Sequence, residues 1–425
     1  MKVLKKLFAL SSMFLVVSCG AGVSSGVSKA KYTVLVYMCG SNLESDYANQ
    51  TYIYDGYYTY QHDGRGLAVM DIDEIIKVKN KPSNVNVVIE TGGSYEWTKN
   101  KYGKYGDYDI DASKLQIHHV NSNNKLSLDK SLNYSSMGDS STLQSFLEYG
   151  FTKYPAEKTA LVLWNHGGGL QGVCFDEKTN DALSAHEVSD AVDNALKSCN
   201  MEGQKLEWIG YDACLMAVQD IAEINSKHFN YMISSQEAES AYGWSYSSWI
   251  DDVYKHEDTE TILKAICDGF IASTNMTYGR RYNDQTLAYY DLSKAEAYRD
   301  AWENMAIALS DKVGSYNDDD FNDLVNSCKS YADDAYVVYG LFDAMDFITK
   351  LSESSEFNPG EGYIENLTNA FNDLVVYNNK GQAAGNSNGL SMYYAISTYT
   401  SRYNSYTSSD TNFTNWSNLI ARVCD

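Results

Sequence analysis

The sequence contains TALVLWNHGGG at residues 159–169, an apolar run that ends at a histidine followed by three glycines. A second stretch, LEWIGYDACLMA at residues 206–217, begins with an apolar run that leads to a cysteine at position 214. The runs YTVLVYM (32–38) and VNVVI (85–89) have the same apolar character. Such runs, rich in β-branched and aromatic residues, are typical of strands that are buried on both faces of a parallel sheet. We therefore predict that all four belong to one mostly parallel sheet.

Segments with helical spacing alternate with these strands. Apolar residues recur three and four positions apart in residues 141–149 and 184–198, and a helix at 215–224 is predicted to follow the last strand directly. This alternation predicts an α/β fold, in which helices flank both faces of a mostly parallel sheet. After about residue 290 the pattern becomes more helical, with helices predicted at 295–309 and 341–351 and a late strand within 389–396. We place a domain boundary there, between a domain at 31–290 and a C-terminal region at 291–425.

The N-terminus has the features of an export signal. Three lysines precede an apolar run at residues 7–17, which is too short to span a bilayer as a helix. The sequence VVSC at 16–19 resembles a bacterial lipobox, which predicts removal of residues 1–18 and lipidation of Cys19; an ordinary secretory signal cut near Gly20 is the alternative. Residues 19–30 are rich in Gly and Ser and are predicted to form a flexible tether. We expect an exported bacterial lipoprotein, held at the cell envelope or cell surface by its lipid anchor.

The composition predicts a folded and strongly acidic protein. Of 425 residues, 44% are apolar and 21% are charged, which suits a globular core, and the formal net charge is -23 at pH 7. Such a charge repels nucleic acid and anionic lipid head groups, and it favours cationic partners such as basic peptides. We therefore expect no nucleic-acid partner.

Two predicted strand ends carry residues suited to catalysis. In open α/β sheets, active sites lie at the carboxyl ends of the strands; here His166 leaves one strand and enters three glycines, and Cys214 leaves another strand. Glycines let backbone N–H groups approach a ligand closely. A helix N-terminus and a neighbouring imidazole both stabilise a thiolate. The pattern therefore predicts a thiol nucleophile with a general base, near backbone N–H groups that stabilise an oxyanion.

Each of these features also has a simpler structural interpretation. A single Cys is more often a small buried apolar residue, a single His is more often structural, and three glycines also occur in phosphate loops and ordinary turns. Metal binding has weaker support, because His118 and His119 face opposite sides of a strand and Asp318–Asp320 lacks the spacing of an EF-hand loop. The other cysteines show no disulfide spacing and are predicted to lie mostly in the core. Catalysis is favoured because His166 and Cys214 occur at consecutive strand ends.

The two motifs resemble those of the clostripain family of cysteine peptidases, which share a fold with caspases, gingipains and legumain. LVLWNHGGG resembles the His motif of the family, and GYDACLMA resembles its Cys motif. The resemblance extends to YTVLVYMCGSNLES, VNVVIETGGSYEW and GLSMYYAIS, and it covers most of residues 31–400. One departure is ESAYGW at 239–244, where relatives often have a Pro-Gly pair before Gly-Trp. The resemblance implies a caspase-like fold and leaves the shape of this nearby substrate loop open.

The resemblance implies a role for each motif residue. His166 is the implied general base and acid, Cys214 is the nucleophile, and the backbone N–H groups of Gly167 and Cys214 form the oxyanion hole. Asp212 matches family residues that bind a basic P1 side chain; its alternative role is to cap the following helix. Family members are often cut between the two motifs, and Lys178 is the first basic residue there, so it is the implied processing site; an ordinary solvated lysine is the alternative. The sequence requires no cofactor, although relatives use calcium.

The predicted function is a cysteine endopeptidase that cleaves proteins or peptides after Arg and, less readily, after Lys. Glu237 and Glu239 are further acidic residues to which no role is given. Two alternatives from other classes stay open. One is an inactive surface lipoprotein that binds peptides or another partner on the same fold. The other is an acyl transferase or amidase that uses the same His and Cys pair.

Overall fold

The computed structural model describes residues 29–46, 51–54, 58–61, 65–98, 109–277, 283–316, 318–332, 340–394 and 411–424. The predicted signal, the predicted lipidation site Cys19 and most of the predicted tether lie outside the described residues. Within the described ranges, none of the helices combines the length and the apolar composition that a membrane span requires.

The described residues form fifteen strands, nine of which build a central sheet. In chain order the strands are β1 (Ala30–Cys39), β2 (Thr51–Tyr54), β3 (Tyr58–Gln61), β4 (Val85–Gly92), β5 (Lys114–Val120), β6 (Leu126–Asn133), β7 (Ala156–Trp164), β8 (Val173–Asp176), β9 (Asp181–Leu183), β10 (Leu206–Asp212), β11 (Phe229–Ser234), β12 (Thr286–Asp291), β13 (Leu341–Asp343), β14 (Val375–Lys380) and β15 (Ser391–Tyr393). The order in the central sheet is β14-β12-β11-β10-β7-β1-β4-β5-β6, and the remaining strands pair as the ribbons β2-β3, β8-β9 and β13-β15.

The middle of the central sheet is parallel and its two sides are antiparallel. β1 pairs in parallel with β4 and β7, and β10 pairs in parallel with β7 and β11. The outer strands β5, β6, β12 and β14 are antiparallel. The predicted α/β class is confirmed, and the four apolar runs lie in β1, β4, β7 and β10. The edge strand β6 is largely exposed, which explains why its sequence LSLDKSLN contains no apolar run.

Alternating residues of β1 enter two different cores. Leu35 and Tyr37 belong to the core on one face of the sheet, whereas Val34 and Val36 belong to the core on the other face. All four side chains are fully buried. Because helices cover both faces, every position of the strand favours an apolar residue, and the polar alternation typical of a half-exposed strand is lost.

Twelve helices lie among the described residues. In chain order they are α1 (Ser41–Ser45), α2 (Leu67–Lys77), α3 (Ser140–Lys153), α4 (Ala185–Ser198), α5 (Gln219–Asn225), α6 (Tyr246–Lys255), α7 (Thr259–Thr277), α8 (Ala295–Val313), α9 (Asp318–Asn326), α10 (Ala344–Glu353), α11 (Glu361–Leu374) and α12 (Thr414–Cys424). Side chains of α2, α6 and α7 contribute to the core on one face, and those of α3, α4, α5, α8 and α10 contribute to the other. α4 begins with a capping box, in which Ser184 and Glu187 bind each other's backbone N–H groups.

Two predicted helices begin later than expected. The helix predicted at 215–224 begins only at Gln219, because the preceding residues form a turn in which Leu215 has a left-handed backbone, with φ of 66°. The helix predicted at 341–351 begins at Ala344, because residues 341–343 form β13 and pair with β15. In both places a short apolar stretch has the spacing of a helix, although its backbone forms a turn in the first case and a strand in the second.

The C-terminal region takes part in the central sheet. β14 pairs with β12, and the late apolar run contains β15. Asp343, at the end of β13, is fully buried. Its carboxylate accepts hydrogen bonds from Gln236 Nε2 at 3.0 Å, the Tyr331 hydroxyl at 2.7 Å and the Asn388 N–H at 2.7 Å. Gln236 lies in the loop that follows β11, so the β13-β15 ribbon and this loop are held together.

Candidate active site

The carboxyl ends of β1, β7 and β10 lie side by side at one edge of the sheet. Met38 of β1 pairs with Trp164 of β7, and Trp164 pairs with Asp212 of β10. Residues that follow these three strands therefore converge. His166 follows β7 and Cys214 follows β10, and both side chains line one cavity of about 160 Å³. The structure thus brings together the two residues that the sequence predicted to act as a pair.

The segment around His166 is anchored by the buried Asn165. Asn165 Nδ2 donates to the Cys39 carbonyl at 2.7 Å, and Asn165 Oδ1 accepts from the Phe175 N–H at 2.7 Å. The His166 ring lies with its Nε2 2.7 Å from Asn42 Oδ1. Burial lowers the pKa of His166. The neutral imidazole, which can accept a proton, is therefore the favoured form near pH 7.

Cys214 lies in a turn and not at the N-terminus of a helix. β10 ends at Asp212 and α5 begins only at Gln219, so the helix dipole that was predicted to stabilise the thiolate is not placed at the thiol. Instead, the Glu239 N–H donates to Cys214 Sγ at 3.2 Å. The backbone N–H that contacts the sulfur therefore belongs to the loop after β11, and not to the first turn of a helix as the sequence predicted.

The thiol of Cys214 is held in its neutral form. Burial and, to a smaller extent, the negative charge of Glu239 raise the pKa of Cys214 to about 12, although the backbone N–H groups of Glu239, Gly167 and Cys214 act in the opposite direction. The predicted lowering of the thiol pKa is therefore wrong for this arrangement, because desolvation and a buried carboxylate outweigh the amides. Such a thiol needs a base to take its proton as it attacks.

Gly167 brings two backbone segments into direct contact. Gly167 forms a bridge to Val173, and a β-carbon at position 167 would lie 2.2 Å from the Cys214 carbonyl oxygen. Only glycine permits this approach. The N–H groups of Gly167 and Cys214 both stabilise the charged form of the thiol, and donors placed in this way are suited to stabilise an oxyanion beside the sulfur.

Asp212 is buried against the same cavity. Its Oδ1 accepts from the Trp244 N–H at 3.1 Å, and its Oδ2 accepts from the Tyr246 hydroxyl at 3.0 Å. These donors lie just before α6 and at its first residue, and not in α5, so the alternative role as a cap of the following helix does not apply. Burial raises the pKa of Asp212 to about 7, although the two donors favour the charged form.

Glu239 is a second buried carboxylate in the cavity. Both of its carboxylate oxygens are buried, and the carboxylate lies against the side chains of Asp212 and Trp244. Burial raises the pKa of Glu239, and the charge of Asp212 raises it further. Glu237 is different, because its Oε1 accepts from the N–H groups of Ala238 at 2.9 Å and Ala332 at 3.1 Å. Of these two acidic residues, only Glu239 lines the cavity, where two neighbouring buried carboxylates would favour a bound cation.

Several residues of the site carry little signal in the sequence. Asn42 and Asn165 are marked only by their positions just after apolar runs. Nothing local in the sequence distinguishes Glu239 from Glu237. A search for polar residues shortly after each predicted strand would have found both asparagines.

Lys178 lies in the turn between β8 and β9, and it is half-buried rather than fully exposed. Its Nζ donates to the Ala112 carbonyl at 2.5 Å and lies 3.8 Å from the centre of the Tyr134 ring. The neighbouring Glu177 accepts from the Tyr95 N–H at 2.8 Å. The turn is therefore docked on the protein, and a protease reaches the bond after Lys178 only when these contacts open.

The described residues contain no group of three or more His, Cys, Asp or Glu side chains arranged to hold a metal ion. His119 Nδ1 lies 2.8 Å from Asp129 Oδ1, and the neighbouring His118 is buried beside Thr91. Asp318–Asp320 form the exposed first turn of α9. The calcium ion suggested by the family resemblance stays a prediction.

Comparison with known proteins agrees with the motifs. The sequence model of the clostripain family matches residues 57–421, which is most of the chain. Clostripain from Hathewaya histolytica is 24% identical over 307 residues, an alignment that covers 60% of this chain and 57% of clostripain. The match thus spans less than two thirds of the length of that relative.

Two solved structures have a similar fold. Iotapain, a secreted cysteine protease of this family from Bacteroides thetaiotaomicron, is 16% identical and has a TM-score of 0.64, with 92% of this chain and 99% of the other covered. An inactive zymogen of the same family from Parabacteroides distasonis is 17% identical and has a TM-score of 0.61, with 91% and 97% covered. At these identities the likeness concerns the fold alone, and it confirms the predicted fold.

We predict that Gly167→Ala lowers kcat/KM for a peptide substrate by about 100-fold or more, the effect typical of losing one oxyanion donor. The added β-carbon would collide with the Cys214 carbonyl and push the Gly167 N–H away. Gly362→Ala is the control, because a β-carbon at this position in α11 meets nothing within 4 Å. Steady-state cleavage of a fluorogenic peptide measures both variants, and unchanged cleavage by Gly167→Ala would contradict the oxyanion role.

Proposed function

The chain belongs to the clostripain family of cysteine peptidases, and we propose that it is an endopeptidase that cleaves after Arg and, less well, after Lys. One observation carries the proposal. A thiol, an imidazole and two buried carboxylates line a single cavity, and they belong to Cys214, His166, Asp212 and Glu239. The first two groups have the chemistry to break a peptide bond, and the carboxylates have the charge to select a cation beside it.

The proposed reaction has two stages. In the first, His166 takes the proton of the Cys214 thiol as the sulfur attacks the carbonyl carbon of the scissile bond. The oxyanion receives hydrogen bonds from the N–H groups of Gly167 and Cys214. The C–N bond then breaks, and the leaving amine takes the proton from His166, which leaves a thioester. In the second stage a water molecule gives a proton to His166 and attacks the thioester, and the thiol is restored with release of the acid.

The buried carboxylates support a basic P1 side chain. A carboxylate that is out of contact with water is costly unless a cation pairs with it. Arg presents a planar fork that can meet carboxylates with two parallel hydrogen bonds, whereas Lys presents a point charge. We therefore expect Arg to be preferred to Lys, and Asp or Glu to be rejected. The net charge of -23 further attracts basic substrates, and this attraction weakens with salt.

We further propose that the protein acts outside the cytoplasm and is anchored by a lipid on Cys19. The support is the lysine-rich start, the short apolar run and the VVSC sequence at 16–19. Iotapain, one of the similar proteins of known structure, is secreted. An inactive binding protein and an acyl transferase or amidase stay alternatives, and peptide turnover distinguishes them from a protease.

Cys214→Ala should abolish turnover of an Arg peptide, because the nucleophile is lost, and His166→Ala should leave at most trace turnover, because the thiol loses its base. Both proteins should stay folded, which circular dichroism would check. Cys199→Ala is a matched control, since Cys199 is half-buried at the end of α4. Wild-type turnover by Cys214→Ala would reject the mechanism.

Asp212→Asn should lower kcat/KM for Arg peptides by an amount that corresponds to about 2–4 kcal/mol of lost transition-state stabilisation, because the change removes the charge and keeps the size. The kcat/KM for a Leu peptide should be almost unaffected. The pKa of Asp212 is raised to about 7, so the wild-type carboxylate is charged above this pH and protonated below it. KM for Arg peptides should therefore rise as the pH falls through about 7, and Asp212→Asn should lose this dependence.

The control for Asp212→Asn is Asp190→Asn. Asp190 is exposed on α4, so this change should leave kcat/KM and its pH dependence as in the wild type. The panel of substrates carries Arg, Lys, Leu or Asp at P1. If Asp212→Asn keeps the Arg preference and Glu239→Gln loses it, Glu239 and not Asp212 recognises P1. A wild-type preference for Asp would reject basic specificity altogether.

Processing is expected after Lys178, in the turn between β8 and β9. Incubated wild-type protein should give two fragments that stay associated, because β7 and β10 lie on either side of the cut and pair in the sheet. Mass spectrometry should place the new end at Lys178, and Cys214→Ala protein should stay intact. Lys197→Ala, a change on the exposed side of α4, should be processed normally. A fully active protein that is never cut would show that no processing is required.

A further inference from the structure

Asn42 contacts the proposed general base from an element that carries neither motif. Its Oδ1 lies 2.7 Å from His166 Nε2, although the two residues are 124 positions apart in the chain. Asn42 lies in α1, just after the central strand β1, and its side chain is half-buried. The contact exists because β1 and β7 are parallel neighbours whose carboxyl ends coincide.

The segment that carries Asn42 is held on both sides. The Gly40 N–H donates to the Gly92 carbonyl at 2.8 Å, and Ser94 Oγ donates to the Ser41 carbonyl at 2.8 Å. Ser41 has a left-handed backbone, with φ of 48°, which turns the chain sharply out of β1. The position of the Asn42 side chain is therefore fixed by the ends of β1 and β4.

The contact determines which nitrogen of His166 is left for the thiol. A side-chain carbonyl oxygen can only accept a hydrogen bond, so Nε2 must carry the hydrogen in this arrangement. In a neutral imidazole the lone pair is then on Nδ1. Because burial favours the neutral ring, Nδ1 is the nitrogen that can act as a base.

We infer that Asn42 is a positioning residue, which holds His166 in the tautomer and orientation in which Nδ1 takes the proton of Cys214. After bond cleavage the same nitrogen returns the proton to the leaving amine, while Nε2 keeps its hydrogen throughout. The inference rests on the proposed function and adds a third member to its catalytic pair.

The neutral character of Asn42 matters because the surroundings of His166 are acidic. Carboxylates from several elements line the two cavities that His166 faces, namely Asp46, Asp176, Glu177, Asp181, Asp212 and Glu239. A seventh carboxylate in direct contact with the ring would raise the His166 pKa and keep it protonated. An amide orients the ring without adding charge.

The test compares Asn42→Ala and Asn42→Asp in the full-length chain. Asn42→Ala removes the acceptor, and it should lower kcat for an Arg peptide by on the order of 10- to 100-fold with little change in KM, as expected for a misaligned base. Asn42→Asp keeps the size and adds a charge, so it should displace the pH profile of kcat/KM toward higher pH. Asn86→Ala is the matched control, because Asn86 hydrogen-bonds to Thr33 near the start of the same strands, and it should behave as the wild type.

A second measurement does not depend on peptide cleavage. The rate at which iodoacetamide alkylates Cys214, followed by mass spectrometry from pH 5 to pH 10, reports the coupling between thiol and imidazole. We expect Asn42→Asp to shift this profile upward and Asn86→Ala to leave it in place. Unchanged alkylation profiles in both Asn42 variants, with or without loss of cleavage, would overturn the inference. A shifted profile in a protein that cleaves no basic peptide would support the role of Asn42 and reject only the proposed specificity.

Discussion

The parallel register of β1, β7 and β10 is the constraint on which the site depends. Trp164 pairs with both Met38 and Asp212, so three strands end at the same level. Each strand then places one polar residue at the shared edge: Asn42 after β1, His166 after β7 and Cys214 after β10. A shift of one residue in either pairing would turn the side chains of the moved strand to the opposite face, and the three groups would no longer meet.

The second constraint is electrostatic. The cavity contains two buried carboxylates side by side, since Asp212 accepts hydrogen bonds from Trp244 and Tyr246 and Glu239 lies against Asp212. Burial and the charge of Glu239 oppose ionisation of Cys214. We expect the basic side chain of the proposed substrate to offset the part of this effect that is due to Glu239, because a bound positive charge favours the thiolate.

The loop after β11 depends on the C-terminal region. Gln236 donates to Asp343 at 3.0 Å and accepts from the Gly389 N–H at 2.6 Å. Three residues further along the chain, Glu239 donates its N–H to the Cys214 sulfur. The region after residue 290 thus helps to hold the loop that contacts Cys214, because the buried carboxylate of Asp343 accepts a hydrogen bond from Gln236 in that loop.

The sequence by itself determined the α/β class and the four central strands, because burial on both faces of a sheet requires continuous apolar runs. It also determined that His166 and Cys214 lie at strand ends, because the end of an apolar run can be read from the neighbouring residues alone. It misplaced the start of α5, since apolar spacing at 215–218 does not report a left-handed turn at Leu215. Only the tertiary structure decided that Asn42 meets His166, that Glu239 meets Cys214 and that the thiol pKa rises. Periodicity in a sequence reports which side chains are buried, whereas these contacts depend on which strand ends are neighbours and on how much water their loops exclude.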